Sequence, residues 1–181
     1  MKKIVLIFGF ISGAICAGSM LVTLPLADSP AFGKAEIIGY TTIVLAALII
    51  FFGIRSYREN VGAGRLTFMR GMAVGLLISF ISCACYVTTW EFIYFKLRPD
   101  FGAKYGAAMV QRAKDDGASA QKVEELRKQM EAFKVKYDQP LYNVGLTFLE
   151  IFPIELGVTL LSAAILRKKA VAKAQTDREL S

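Results

Sequence analysis

Four stretches of nearly unbroken apolar residues alternate along the chain with short charged ones. They run from Ile4 to Leu26, from Ile37 to Ile54, from Met72 to Phe95 and from Tyr142 to Leu166. Each approaches or exceeds the roughly 20 residues that a helix needs to cross about 30 Å of hydrocarbon. Unpaired backbone groups are prohibitive in lipid, so all four are expected as helices, which satisfy their own N–H and C=O groups.

Between the third and fourth stretches the pattern changes. From Leu97 to Leu141 charges of both signs are interspersed, and Val123, Leu126, Met130, Phe133 and Tyr137 recur at alternating spacings of three and four. That periodicity draws one apolar stripe along a helix, with Ser119 as its N-cap and Pro140 as its stop signal. Phe101, Tyr105 and Met109 recur every four residues up to the break at Asp115-Asp116-Gly117. Residues 97–141 are therefore expected to form an amphipathic helical hairpin. The fold class that follows is an all-α integral membrane protein. A single membrane domain spans residues 1–181, with the hairpin between helices three and four and a basic tail at 167–181.

Composition agrees with this pattern. The chain is 55% hydrophobic and only 20% charged, too apolar for a soluble domain of its length. Its net charge of +7 is not arranged as a basic stripe with interleaved aromatics, so no nucleic-acid partner is expected. The positive residues flank the apolar stretches instead: Lys2 and Lys3 before the first, Arg55, Arg58, Arg65 and Arg70 between the second and third, Arg167, Lys168, Lys169 and Lys173 after the fourth. The link between the first two, containing Asp28, offers only Lys34. Basic loops stay cytoplasmic, so both termini are expected inside and the hairpin outside. Trp90, Tyr94 and Phe95 then form an aromatic belt at the outer end of the third helix. The first stretch is too long for a signal-peptide core and closes on no Ala-x-Ala site, so it is expected to remain as a helix.

Small residues mark packing faces. Gly9 and Gly13 form one small-xxx-small pair, and Gly71 and Gly75, continued by Ser79 and Cys83, form another. Such faces let helix backbones approach closely, which makes the first and third helices the expected central pair. The pentapeptides Phe10-Ile11-Ser12-Gly13-Ala14 and Phe80-Ile81-Ser82-Cys83-Ala84 fall in those same two helices, as a duplicated two-helix unit would place them.

The segments "FGFISGAI", "GYTTIVLAALIIFFGIRSYREN", "GRLTFMRGMAVGLLIS" and "YNVGLTFLEIFPIELGVTLLSAAIL" together resemble the bacterial four-helix integral membrane family catalogued as domain of unknown function 4199. The resemblance covers nearly the whole chain. It implies an inner-membrane protein with four helices and a variable outer loop, and it implies no activity.

Several chemistries are excluded. The chain has no histidine, which removes His-based metal sites, general bases and Ser-His triads. Its three cysteines include no Cys-x-x-Cys pair, so a thiol oxidoreductase is not expected. "NVGAGR" at 60–65 lacks phosphate-loop spacing. No cofactor and no resident metal are expected.

The acidic residues of the apolar stretches are the remaining chemistry. Glu155 falls near the middle of the fourth helix, Glu150 more than a turn nearer the outer face, and Glu91 about a turn from the outer end of the third. A carboxyl at such depth must be hydrated, paired or protonated, which marks it as a candidate functional group. Glu150 and Glu155 point about 140° apart on an ideal helix. Pro153 between them cannot donate to the Leu149 carbonyl and should kink the helix. Local unwinding there would bring both glutamates toward one pocket, with Tyr86 and Thr88 among its hydrogen-bonding groups. The reading that follows is a non-enzymatic membrane scaffold or accessory protein, embedded in the lipid bilayer, that recognises a protein partner through residues 97–141. The alternatives are a small proton- or cation-coupled carrier or channel, working as a homodimer, and a carboxylate-site membrane enzyme.

Overall fold

The structure, a computed structural model, describes residues 1–25 and 32–167. The link around Asp28 and the basic tail after Arg167, both assigned above from charge, lie outside the described residues. Among the described residues six α-helices follow in order: α1 (Lys2–Thr23), α2 (Phe32–Asn60), α3 (Phe68–Phe92), α4 (Phe101–Asp115), α5 (Ala120–Tyr137) and α6 (Pro140–Leu166). A π-helical turn, Ile93–Leu97, prolongs α3. Lys2–Thr23, Ile37–Asn60, Phe68–Leu97 and Pro140–Leu166 are each long and apolar enough to cross a membrane. Several spans outrun the apolar stretches that predict them. A helix satisfies its own backbone whether in lipid or water, so it need not end where the hydrocarbon does.

The spans form a ring: α1 lies against α2 and α3, and α6 against α2 and α3, with α2 and α3 touching across the middle. Outward positions carry large apolar side chains such as Phe10, Val22, Phe52, Leu161 and Ile165, all exposed, as a lipid-facing surface requires. The interior is different. α1 buries Gly9, Ser12, Gly13 and Cys16, and α6 buries Asn143, Thr147, Ile151, Glu155 and Thr159. In lipid the hydrophobic effect between helices disappears, so close contact and interhelical hydrogen bonds must hold the bundle.

Glycine makes that contact close, though the two small stripes do not face each other. A Cβ on Gly9 would lie 2.8 Å from Cβ of Ile81, and one on Gly13 2.6 Å from Cβ of Cys85, so the α1 stripe presses on α3. The α3 stripe turns to α6: a Cβ on Gly75 would lie 2.5 Å from Thr159 Cγ2, and one on Gly71 3.1 Å from Ala163 Cβ. The duplicated pentapeptides meet at equivalent serines, Ser12 and Ser82, whose hydroxyls are 3.0 Å apart. Ser12 also donates to the Ala46 carbonyl of α2 at 3.0 Å, and Ser79 meets Thr159 at 3.3 Å.

Beyond α3, α4 and α5 pack on each other, and α5 touches α6. Gly117 turns the chain between them in the left-handed region, φ +77°, which a residue without a Cβ adopts freely. Ser119 caps α5 by accepting from the Lys122 N–H. Pro140 opens α6 rather than merely ending α5. At the first helical position its missing N–H costs nothing and its fixed φ suits the helix.

Gly13→Leu and Gly75→Leu should each destabilise the protein by about 1–3 kcal/mol through overpacking. A Cβ added at Gly18 or Gly157 would meet nothing within 4 Å, and leucine there should be tolerated. Thermal midpoints in detergent measure the difference; equal midpoints for all four variants would contradict the packing.

Candidate functional site

α6 divides its two acidic residues between different environments. Residues 143, 147, 151, 155 and 159 repeat every four, and this row is buried in the bundle. Glu155 belongs to it and is fully buried. The Cys83 thiol donates to its Oε2 at 3.3 Å, and Ser79 and Ser82 stand beside it. Glu150 lies one position off the row, on the face carrying Leu146 and Leu149, and that face lines a cavity of about 690 Å³. Pro153 sits on an exposed side of α6, which stays helical through it. Without unwinding, the 100° step per residue keeps the two glutamates apart. Glu155 is not among the cavity's lining residues. Of the other candidates, Tyr86 lines the cavity, whereas Thr88 is exposed elsewhere and Glu91 lies off the wall.

The cavity fills the hairpin end of the bundle. α1 contributes Ser19 and Met20, α2 Tyr40 and Ile43, α3 Tyr86 and Trp90, and the π-helical turn Ile93 and Tyr94. Its remaining wall is the hairpin, through Phe101 and Tyr105 of α4 and Met130, Phe133 and Tyr137 of α5. The stripe read from the sequence is thus turned inward. The hydroxyls of Tyr40 and Tyr86 stand beside the Glu150 carboxylate. Much of the Glu150 side chain remains accessible, and its carboxylate belongs to the cavity wall.

Specific bonds fasten the hairpin. Trp90 Nε1 donates to the Tyr137 hydroxyl at 2.9 Å, and the Tyr94 hydroxyl donates to Asp138 Oδ1 at 2.6 Å. Asn143 Nδ2, at the start of α6, donates to the Tyr137 carbonyl at 3.1 Å. An aromatic cluster surrounds these bonds, with Tyr94 and Tyr137 ring centroids 5.2 Å apart and Trp90 edge-on to Phe101 at 5.1 Å. Sequence reasoning placed Trp90 and Tyr94 in an aromatic belt at the membrane interface and missed Tyr40 and Asp138. The available signal for Asp138 was its position one residue past Tyr137, at the C-terminus of a helix whose stripe points at the bundle.

The family model described as "Protein of unknown function (DUF4199)" matches residues 7–168. The chain belongs to this family. No curated protein and no solved structure matches it. The match takes in most of the first span, the other three spans and the hairpin of this DUF4199 protein, so the cavity lies wholly within the family region.

Asp138 makes the docking pH-sensitive. Lys134, with its ammonium 2.6 Å away, and the Tyr94 hydroxyl hold the Asp138 carboxyl below its ordinary range. A carboxyl depressed on folding contributes stability above its unfolded pKa, about 4, and loses that contribution as pH falls through the folded value. Protection of the α5 amides, taken relative to the intrinsic exchange rate at each pH, should therefore fall on acidification below about pH 4, and Asp138→Asn should show weaker protection at neutral pH with less further change. Equal acid response in both proteins would remove Asp138 from the docking.

Proposed function

We propose that this DUF4199 protein is a non-enzymatic ligand-binding protein of the bacterial inner membrane, in which the hairpin is a lid over a site between the helix ends. The observation that carries the reading is the 690 Å³ cavity walled on one side by the hairpin's own apolar stripe. That volume lies in the range of small-molecule sites, about 300–1,000 Å³, and so does its make-up, apolar and aromatic walls with a few placed polar groups. Met130, Phe133 and Tyr137 face the cavity, which favours a lid over a surface for partner recognition. Binding rather than catalysis is supported by the wall chemistry. Glu150 is the single carboxylate among the described lining residues, and the Lys134 ammonium is engaged by Asp138.

Both termini are proposed to be cytoplasmic, with the site opening outward, because Arg55, Arg58, Arg65 and Arg70 cluster at the end away from the hairpin. Impermeant thiol reagent applied from outside should label a cysteine at Ser119 and miss one at Gly64. The reverse pattern would overturn the orientation.

Ser19 lines the cavity from α1, and its hydroxyl donates to the Cys16 carbonyl of its own helix. Ser19→Phe should fill space without unfolding the bundle. Native mass spectrometry of gently extracted wild-type protein should show a bound small molecule in addition to lipid. The Ser19→Phe variant should lose that species at an unchanged thermal midpoint. Identical spectra would contradict a ligand site in this cavity.

A further inference from the structure

The cavity is electrostatically one-sided. Its single carboxylate among the described lining residues, Glu150, has the hydroxyls of Tyr40 and Tyr86 beside it. Phenol hydroxyls orient a carboxylate without cancelling its charge, and among the described residues no lysine or arginine pairs with it. The single cation among the described lining residues, Lys134, is held 2.6 Å from Asp138, so its charge is already matched. The described lining residues thus offer anions no unmatched positive group.

The rest of the wall favours the opposite sign. Trp90, Tyr94, Phe101 and Phe133 supply aromatic rings, whose faces carry negative electrostatic potential and attract ammonium and guanidinium groups. Their edge-to-face contacts, such as Trp90 on Phe101 at an interplanar angle of 88°, hold the rings in fixed orientations. A ligand that fills the cavity displaces the solvent around Glu150, and the lowered dielectric strengthens their pairing. The space is far larger than an alkali ion needs, and Met20, Ile43 and Ile93 give it apolar surface. A bare metal ion would find one carboxylate among neutral hydroxyls and would leave the aromatic and aliphatic walls without a partner, whereas an amphiphile finds a partner for each of its parts.

Resting on the ligand-binding reading above, we infer that the cavity accepts a lipophilic organic cation, with its positive group against Glu150 and its apolar body among the aromatic rings. The charge would sit deep, against α6, and the hydrocarbon under the hairpin. The negatively charged group and the aromatic surface come from different helices, so recognition requires the closed arrangement of hairpin and bundle.

The test uses the full chain in lipid nanodiscs, with tetraphenylphosphonium as probe and tetraphenylborate as an anion of matching size and shape. Trp90 is the chain's single tryptophan and stands on the cavity wall, so its fluorescence reports occupancy directly. Tetraphenylphosphonium should quench it saturably, above the non-saturable background of lipid partition, and tetraphenylborate should not. Glu150→Gln should weaken the saturable phase about tenfold or more, as loss of a desolvated charge partner does. Glu150→Asp, which keeps the charge, should retain it, and Glu91→Gln, off the cavity wall, should leave it unchanged. Equal responses to both ions, or an unaltered response in Glu150→Gln, would overturn the inference. A native small-molecule adduct that persists while tetraphenylphosphonium fails to saturate would remove the cationic class and leave the ligand site standing. Loss of both would remove the site itself.

Discussion

The close approach of α3 to its neighbours is the constraint on which the rest of this structure depends. Helices in lipid gain little from burying apolar surface against one another, because hydrocarbon surrounds them already. Contact and hydrogen bonding must do that work. Gly9 and Gly13 let α1 reach Ile81 and Cys85, and Gly71 and Gly75 let α6 reach α3 at Thr159 and Ala163. Only at such distances can Ser12 meet Ser82 and Ser79 meet Thr159. These hydroxyls then form a polar layer in a protein whose exterior is hydrocarbon-like.

The same geometry explains where space remains. Small residues draw α1, α3 and α6 together at mid-bundle, whereas Tyr40, Tyr86, Trp90 and Tyr94 occupy the hairpin end. Rings of that size cannot interdigitate at glycine distances, and the gap between them is closed by α4 and α5 instead of by the spans. The hairpin is thereby tied to the bundle through groups that also form the cavity wall, Trp90 to Tyr137 above all. Tight packing in the middle and a cavity at one end are consequences of one distribution of side-chain sizes.

Glu150 and Glu155 show how small a difference in helical position separates two environments. Glu155 continues the four-residue row of Asn143, Thr147 and Ile151 into the sealed interior, where a thiol and hydroxyls meet it. Glu150, one position off that row, reaches the cavity. Unwinding of α6 at Pro153 would have turned both toward one pocket; the continuous helix assigns one to the interior of the bundle and the other to the candidate site.

The amino-acid sequence by itself determined the four spans, their approximate lengths, the amphipathic hairpin and the glycine faces. These follow from periodicity, hydropathy and side-chain size, which act locally and are written in consecutive residues. The cap at Ser119 and the break at Gly117 were legible for the same reason. Which helix each glycine stripe meets, and whether the hairpin's apolar stripe faces lipid, a partner or the bundle, only the tertiary structure decided. Those outcomes depend on the rotation of each helix about its axis and on pairings between residues far apart in sequence, such as Tyr94 with Asp138 and Cys83 with Glu155. A helical pattern specifies a face, but the neighbour that covers it is set by the packing of the whole bundle.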